Sequence, residues 1–434
     1  MGPAPKWTPE QAESHLRSLE LFGMRFGLDR MRRMMTVLGS PQQSFDAIHV
    51  VGTNGKTSTT RMIAAILQRH GMRTAAYTSP HLRFYWERLQ VGEREQDAGS
   101  FAAAIARAAW AAERVNRTLA QGDHVTQFEL LTAAALWEMA EQGVRVAVVE
   151  AGLGGRYDAT SVIDSQVSVL TNVGLEHTRW LGPKVSDIAA EKLAVLRPGT
   201  TLVMGSHPPP AVLEVAERVA LEQRARIVHS SPGRSLVGLA AAGSFQRRNF
   251  ALARDAADAY LQSVGVPLSA RAVEEAAAST TVDGRMHVLQ RDPLTVLDGA
   301  HNPDAVVALA ESLGEILGGG PLALVLGVLD DKDAASMLAT LLPLCERAWF
   351  TAPPSSRALS PAALQSLARQ LSFEAVSCEP SPARALAQAQ EWARAHGGDV
   401  LVTGSIYLVG DLLDQHAPDA TLSISEASPG SSGR

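Results

Sequence analysis

The stretch that decides the fold runs His49-Val50-Val51-Gly52-Thr53-Asn54-Gly55-Lys56-Thr57-Ser58. The apolar residues 47–51 predict a short buried strand, and residues 59–68 have the apolar spacing of a helix. A turn bracketed by glycines lies between them. This order of strand, glycine-rich turn and helix predicts an α/β domain with a phosphate-binding loop.

The turn has the residues of an anion cradle. Its glycines let backbone N–H groups approach phosphate oxygens, and the N-terminus of the following helix adds a partial positive charge. We expect Lys56 to reach the outer phosphates and the Thr57 hydroxyl to bind Mg²⁺. Val50 stands where the usual pattern has its first glycine. An ordinary βα turn with a solvated lysine is therefore the alternative interpretation.

Length and composition restrict the class of protein. The 434 residues exceed one ordinary core, and 46% hydrophobic with 19% charged residues is typical of a soluble globular enzyme. A net charge of −6 argues against a nucleic-acid partner. No apolar run is long enough for a membrane span, and the two cysteines, Cys345 and Cys378, have no CxxC spacing. We expect small-molecule substrates, a monomer and a reducing cytoplasm as the setting.

Three further predicted strands each lead into polar or ionisable side chains. These strands and the residues that follow them are 74–78 with Ser79, 144–149 with Glu150, and 167–171 with Glu176 and His177. The carboxyl ends of parallel strands meet at one edge of a sheet, so these side chains are expected near Lys56. The arrangement predicts a site for a nucleotide and a metal ion.

Lys192 lies in a predicted helix that stops before Pro198. A helix lysine is solvated by default. A lysine held near two Mg²⁺ ions can instead add CO₂ and become a bridging carbamate, which requires a neutral amine and hence a lowered pKa. Spacing alone does not decide between these two roles.

The pattern of elements predicts two domains and a tail. Residues 1–281 are expected to form a P-loop ATPase domain with a doubly wound, mostly parallel sheet. Residues 282–416 are expected to form a smaller Rossmann-like α/β domain, and residues 417–434 a flexible tail. Within the first helices, Asp29 is the predicted N-cap of the second one.

Motifs along residues 15–410 together resemble those of the folylpolyglutamate synthase/dihydrofolate synthase family, within the Mur ligase superfamily. Each string is weak by itself, but all occur in the family's order. They are GTNGKT (52–57), TSPHL (78–82), FE-x-x-T (128–132), E-x-GLGGRYDAT (150–160), TNVGLEHT (171–178), EK (191–192), GRM (284–286), LDGAHNP (297–303), DDKD (330–333) and GSIY (404–407).

The resemblance implies ATP-dependent amide formation. ATP would phosphorylate a carboxylate of dihydropteroate or of the γ-glutamyl end of a reduced folate, and the amine of L-glutamate would attack the acyl phosphate. The implied cofactors are ATP, two Mg²⁺ ions, K⁺ and a carbamate on Lys192. Phosphoryl transfer depends mainly on positioning and cations, which agrees with the predicted strand-end site.

The resemblance also assigns roles to residues of this sequence. The ATP contacts it implies are Asn54, Gly55, Lys56, Thr57, Asn249, Arg285 and Asp298. The metal ligands are Ser79, Glu150, His177 and Lys192. Catalytic roles fall to Lys56, Lys192, His177 and His301. The pteroate contacts are Phe26, Gly27, Leu28, Asp29, Thr126, Gln127, Phe128, Glu129, Tyr157, Asp158 and Ala159.

One departure from the family keeps an alternative open. Thr57 stands where the folate enzymes usually have glycine, which is closer to the murein ligases. The alternative is another Mur-type amino-acid ligase that acts on a non-folate carboxylate. Murein ligases place a domain of about a hundred residues before the loop, whereas 51 residues precede Gly52 here, too few for a domain and its strand.

A P-loop switch without ligase chemistry is an alternative from a different class. It rests on the nucleotide loop only. The sequence has no NKxD string for guanine recognition, and the motifs around Asp298 and His301 have no place in such a protein. The sequence therefore favours the ligase.

Overall fold

The computed structural model describes residues 5–19, 27–205, 207–231 and 238–416. Phe26 and the predicted tail 417–434 lie outside these ranges. By internal contacts the chain divides into two compact units. The first comprises Met1–Met286 with Asp304–Ile316, and the second comprises His287–Pro303 with Leu317–Arg434.

The first unit is built on a sheet that has eight strands within the described ranges. The strands are β1 (Asp46–Val51), β2 (Thr74–Tyr77), β3 (Leu89–Val91), β4 (Arg94–Glu95), β5 (Val146–Glu150), β6 (Ser165–Leu170), β7 (Thr201–Gly205) and β8 (Arg226–Ser230). Their order is β4-β3-β2-β5-β1-β6-β7-β8. The neighbouring strands β2, β5, β1, β6, β7 and β8 pair in parallel, whereas β3 is antiparallel to both β2 and β4.

Helices cover both faces of this sheet. They are α1 (Pro9–Leu19), α2 (Asp29–Val37), α3 (Lys56–Arg69), α4 (Ala98–Asn116), α5 (Gln127–Glu141), α6 (Thr178–Leu181), α7 (Val185–Leu193), α8 (Pro210–Gln223), α9 (Ser244–Ser263) and α10 (Ala270–Ser279). In β5, Ala147 and Val149 pack with α4 and α5, whereas Val146 and Val148 pack with α3 and α9. Burial on both faces explains why β5 is apolar without alternation.

Helix α11 (Pro303–Leu313) lies almost entirely in the first unit. It and the residues after it pack against the start of α9. The Ser244 N–H donates to Oγ of Ser312 at 3.0 Å, and Nη1 of Arg247 donates to Oε2 of Glu315 at 2.9 Å. The segment 304–316 is therefore part of the packing of the first unit.

The second unit has a six-stranded sheet over its described residues. Its elements are β9 (His287–Arg291), β10 (Leu294–Leu297), β11 (Leu322–Leu326), α12 (Ala334–Leu341), β12 (Arg347–Phe350), α13 (Pro361–Gln370), β13 (Val376–Cys378), α14 (Pro382–His396), β14 (Asp399–Thr403) and α15 (Ile406–Gln415). The strand order is β13-β12-β11-β14-β10-β9, with β9 antiparallel to β10.

The predicted fold class, two α/β domains with mostly parallel sheets, is confirmed. One local prediction is wrong. Leu28 is the N-cap of α2, and Asp29 is its first residue, where the carboxylate pairs with Arg33 at 2.8 Å. A carboxylate in the first turn stabilises a helix through the dipole without capping it. Among the described residues, no helix is long and apolar enough to cross a membrane.

Candidate nucleotide and ligase site

Neighbouring parallel strands bring the predicted site residues to one edge of the first sheet. Strands β2, β5, β1 and β6 are adjacent in that order. Glu150 is the last residue of β5 and lies opposite Val50 of β1. The segments that continue β2, β1 and β6 hold Ser79, the glycine-rich loop and His177. Strand order therefore gathers the loop and the polar strand ends at one place.

The glycine-rich loop ends at Gly55, which is the N-cap of α3 with φ +83°. A Cβ atom at Gly55 would lie closer than 3.0 Å to Oδ1 of Asn249, so the loop backbone meets this amide directly. Asn249 is buried on α9, and its Nδ2 donates to Oε1 of Gln246 at 2.9 Å. This contact brings one predicted ATP contact of α9 against the loop. Lys56 and Thr57 then form the first turn of α3. The first N–H groups of any helix have no acceptor within the helix and are suited to bind an anion.

The segment after β6 braces the loop from the other side. The Asn54 N–H donates to Oδ1 of Asn172 at 2.8 Å, and the Thr171 hydroxyl donates to the Asn54 carbonyl at 2.6 Å. The Gly174 N–H donates to the Thr53 hydroxyl at 3.0 Å. These bonds hold the loop backbone in one conformation, so less conformational entropy is lost when a ligand binds.

Glu150 is a buried carboxylate that faces α3. Its Oε2 accepts from the Thr57 hydroxyl at 2.9 Å and from the Ser79 N–H at 3.2 Å. Burial raises the pKa of Glu150, and Lys56 and Arg285 oppose that rise. A buried carboxylate beside two hydroxyl-bearing residues is the oxygen set that Mg²⁺ prefers.

Two lysines converge on one carbonyl oxygen of the loop. The Gly52 oxygen accepts from Nζ of Lys192 at 2.7 Å and from Nζ of Lys56 at 3.1 Å. Lys192 is 4% exposed. Burial, with a further contribution from Lys56, lowers the pKa of Lys192 to about 7. A large part of the Lys192 population is thus a neutral amine at neutral pH.

His177 is the N-cap of α6 and has a left-handed backbone, with φ +52°. Its Nε2 lies 3.5 Å from Oε1 of Glu176. Within the ranges that the structure describes, no three His, Cys, Asp or Glu side chains are grouped closely enough to hold a metal ion. The metal ligands Ser79, Glu150, His177 and Lys192 therefore remain a prediction.

The predicted ATP contacts from the rest of the chain fall in different units. Arg285, near the end of the first unit, is close enough to Glu150 to lower the pKa of that carboxyl, and its Nη1 donates to the Gly284 carbonyl at 3.0 Å. Asp298 and His301 follow β10 in the second unit. Oδ1 of Asp298 accepts from the Ala300 N–H at 2.8 Å, and Nδ1 of His301 is 2.8 Å from the Gly299 oxygen.

The segments predicted to contact pteroate meet on one side of the first unit. Helix α2, which follows Gly27 and Leu28, contacts α5, and both contact the turn 159–162. Thr126 caps α5, and the Thr126 N–H donates to Oε2 of Glu129 at 2.8 Å. The ring of Phe128 fills the space where Gly152 would carry a Cβ.

Not all of these residues present free polar groups. The buried carboxylate of Asp158 accepts from the N–H groups of Leu153 at 2.8 Å and Thr160 at 3.0 Å, so it organises its own loop. Ala159 is buried, whereas Tyr157 is 49% exposed. Gln127 is committed to the chain as well, because its Nε2 donates to the Leu16 carbonyl at 3.0 Å.

Arg30 and Asn172 are site-forming residues that the sequence did not single out. Nε of Arg30 donates to both carboxylate oxygens of Glu129, at 3.0 and 3.1 Å, and thereby joins α2 to α5. Asn172 holds the loop at Asn54. Asn172 could have been predicted, because it belongs to the motif 171–178 and directly follows β6. The pair of Arg30 with Glu129 could not, because its members lie far apart along the chain.

A braced phosphate loop, a buried carboxylate at a strand end and a separate second α/β unit define an ATP-using enzyme of the P-loop class. Comparison with known families narrows this class. Residues 50–201 match the Mur ligase middle domain, and residues 284–406 match the Mur ligase glutamate ligase domain.

Relatives and solved structures agree with this assignment. The chain is 31% identical over 426 residues to the dihydrofolate synthase/folylpolyglutamate synthase of Escherichia coli, covering 94% of this chain and 97% of that protein. It is 34% identical over 427 residues to a probable bifunctional folylpolyglutamate synthase/dihydropteroate synthase of Haloferax volcanii, covering 92% of this chain but 50% of that protein. This chain thus spans about half of the Haloferax protein.

A solved Mycobacterium tuberculosis folylpolyglutamate synthase complexed with ADP has a TM-score of 0.88 and 29% identity, covering 95% of this chain and 98% of that one. The chain therefore belongs to the folylpolyglutamate synthase/dihydrofolate synthase family. The family and the ATP-dependent ligase activity predicted from the motifs are confirmed, and a Mur-type ligase for non-folate carboxylates is not favoured.

Proposed function

We propose that this chain forms an amide between L-glutamate and two kinds of acceptor, dihydropteroate and the γ-glutamyl end of reduced folates. The observation that carries the proposal is a buried amine beside the phosphate loop: Lys192 donates to the Gly52 carbonyl, and its pKa is lowered to about 7. A buried lysine that is easily deprotonated is unusual for a structural residue and is typical of a site that uses its chemistry.

The phosphate loop is suited to the first step, phosphoryl transfer from ATP to the acceptor carboxylate. The loop N–H groups and Lys56 would hold the phosphates, while Asn249 and Arg285 would contact the nucleotide from α9 and from the segment before β9. Asp298, as an ATP contact, and His301, as a catalytic residue, remain expectations from the family resemblance. Lys56 and Arg285 would stabilise the negative charge that develops on the phosphoryl oxygens. Such positioned cations are the main requirement of phosphoryl transfer.

Glu150, Ser79 and His177 are the proposed Mg²⁺ ligands, and the Thr57 hydroxyl is next to Glu150. Bound Mg²⁺ would neutralise phosphate charge. Two metal ions and a K⁺ ion are our expectation from the family. The buried carboxylate with a raised pKa fits this role, because a cation would favour its charged form.

Lys192 is proposed to carry a carbamate. The ammonium first loses one proton, and the neutral amine then adds CO₂ with loss of a second proton, so a cation that would repel metal ions becomes an anion that could bind them. The proximity of Lys56 favours both the neutral amine before the reaction and the anion after it. The burial and the neighbouring Lys56 that lower the pKa of Lys192 thus support this proposal.

Support for two acceptors comes from the segments around α2 and α5. They are assembled in the first unit, with Phe128 against Gly152 and Arg30 against Glu129. The Escherichia coli relative carries both activities in its name. We expect the pteridine of either acceptor to bind there, with Tyr157 at the exposed margin. A monomer in the cytoplasm is the expected working form.

The test is a phosphate-release assay with ATP, Mg²⁺, L-glutamate and either dihydropteroate or tetrahydrofolate. Phosphate should appear with both acceptors and stop when any single component is omitted. Turnover with one acceptor only would reject the dual assignment, and turnover with neither would reject the proposed function. A uridine-linked muropeptide in place of the acceptor tests the Mur-type alternative.

The carbamate is tested with ¹³C-bicarbonate. Wild-type protein should show a carbamate carbon signal by NMR, whereas Lys192→Ala should lack both this signal and the ligase activity. Lys6→Ala, which changes an exposed lysine, should retain both. An active Lys192→Ala enzyme would contradict the role.

A further inference from the structure

A buried histidine in the central strand of the first unit has no part in the site described above. His49 is 1% exposed and lies on β1 among apolar residues. Ile48 and Val50, its neighbours along the strand, pack with α3 and α9, so the imidazole faces the other side of the sheet. Burial of an imidazole is unfavourable unless hydrogen bonds compensate for the lost water.

His49 begins a chain of hydrogen bonds that ends at a carboxylate. Its Nε2 lies 2.8 Å from the Thr160 hydroxyl, which donates to Oδ1 of Asp158 at 2.5 Å. Because a hydroxyl has only one proton to donate, the Thr160 oxygen accepts from His49, which therefore carries a proton on Nε2. Burial, with a further contribution from Arg197, lowers the pKa of His49 to about 3, so the ring is neutral near pH 7.

Asp158 is the residue at which this chain meets the segment 152–160. Its Oδ1 also accepts from the Thr160 N–H at 3.0 Å, and its Oδ2 accepts from the Leu153 N–H at 2.8 Å. These bonds hold both ends of the segment on one buried carboxylate. The chain therefore joins the segment to β1 close to Gly52, where the phosphate loop begins.

The segment 152–160 has close contacts on two sides of the site. A Cβ at Gly152 would lie closer than 3.0 Å to the ring of Phe128, and a Cβ at Gly155 would lie equally close to the Lys192 carbonyl oxygen. Neither glycine has space for a side chain, so the backbone of the segment packs directly against both neighbours. A displacement of the segment would disturb both contacts.

We propose that His49 is a positioning residue for the acceptor, because through the Thr160 hydroxyl it fixes the segment 152–160 against Phe128. This inference rests on the proposed function, in which the pteridine binds beside that ring. An apolar side chain in β1 would avoid the loss of hydration, whereas a satisfied buried chain of hydrogen bonds specifies one arrangement of the backbone. A purely structural role is the alternative, and it predicts lower stability with unchanged acceptor binding.

The test compares Thr160→Val with Thr160→Ser. Valine keeps the branched shape without the hydroxyl, and serine keeps the hydroxyl without the methyl group. The whole chain is titrated in a calorimeter with ADP, and then with dihydropteroate in the presence of ADP. We expect Thr160→Val to bind dihydropteroate roughly tenfold or more weakly but to bind ADP as the wild type does. Thr160→Ser should restore most of the lost affinity.

Variants of the histidine and a control on the same strand complete the comparison. His49→Leu should act as Thr160→Val does, and His49→Gln should restore part of the affinity, because its amide can donate in place of Nε2. Tyr260→Phe is the matched control. It removes a hydroxyl that donates to Oδ2 of Asp46, at the start of β1, at 2.8 Å. Tyr260→Phe should lower the melting temperature and leave dihydropteroate affinity unchanged.

Hydrogen exchange of the same proteins, followed by mass spectrometry, locates the effect. Amides in the peptide 152–156 should exchange roughly tenfold faster in Thr160→Val, because the carboxylate that accepts from the Leu153 N–H is less well held. The peptide 53–58 of the phosphate loop should exchange as in the wild type.

Unchanged dihydropteroate affinity in Thr160→Val would overturn the proposal, whether or not His49→Leu folds. An equal loss of ADP affinity would show a general loss of structure and would also reject it. A wild type that binds dihydropteroate without turning it over would reject the ligase function proposed above, and the ratio of affinities would still decide the role of His49.

Discussion

Replacing Lys192 with methionine should stabilise the protein at neutral and low pH. Lys192 is 4% exposed, and burial and Lys56 lower its pKa from 10.5 to about 7. Methionine retains most of the side-chain length and removes the charge. The substitution therefore relieves an unfavourable buried ammonium rather than breaking a favourable ion pair.

The size of the gain follows from the pKa. Below about pH 7 both the folded and the unfolded chain carry the Lys192 proton, and each pKa unit corresponds to about 1.36 kcal/mol of disfavoured charge in the folded state. The lost hydrogen bond to the Gly52 oxygen offsets about 1 kcal/mol, although Lys56 still donates to that oxygen. We expect Lys192→Met to be more stable by on the order of 3–4 kcal/mol at pH 6.

The pH dependence gives the sharper signature. Between about pH 7 and pH 10.5 the unfolded wild type binds more protons at Lys192 than the folded protein does, so wild-type stability rises with pH. Lys192→Met lacks this dependence. The difference between the two proteins should stay at its largest below pH 7 and shrink above it.

Urea unfolding in CO₂-free buffer at about pH 6 and about pH 9 measures this difference. Lys6→Met changes an exposed lysine and should follow the wild type at both pH values. A Lys192→Met protein that is less stable than the wild type at the lower pH, or a difference that does not change with pH, would refute the reasoning.

Three other substitutions or conditions test the site. Gly52→Ala places a Cβ closer than 3.0 Å to Oγ1 of Thr171, on a backbone with φ +150°. We expect the free energy of unfolding, measured in urea, to fall by about 3 kcal/mol or more, and a fall below about 1 kcal/mol would contradict the geometry. Thr57→Ala removes a hydrogen bond to the charged form of Glu150 and should raise the KM for Mg·ATP roughly tenfold or more with unchanged circular dichroism, which steady-state kinetics measure. Ligase activity should increase as pH rises through about 7 and respond to added bicarbonate if CO₂ adds to the neutral amine of Lys192, as proposed; a flat profile from about pH 6 to pH 8 would argue against the carbamate.

Local patterns in the sequence predict the elements that position the site. The apolar runs before Gly52 and Glu150 are buried on both faces, so their composition alone marks central parallel strands. Parallel pairing then places their ends together. The hairpin β3–β4 was not predicted, because its residues 89–95 are largely polar and the strands form only by pairing with β2.

Contacts between distant parts of the chain could not be predicted in the same way. Asn249 meets Gly55, and Arg30 meets Glu129, only after the helices pack on the sheet. Local periodicity contains no information about such pairs. The lowered pKa of Lys192 is another case, because it depends on burial and on Lys56, which lies far from it along the chain.

The packing of segment 304–316 on α9 limits how the gene can be divided or recombined. The chain passes from one unit to the other after residues 286, 303 and 316. A cassette that ends at residue 286 would lose Ser312 and Glu315, the partners of Ser244 and Arg247. A crossover there between two relatives would join an α9 from one parent to an α11 from the other. Chimeras should therefore be functional when α9 and α11 come from the same parent protein.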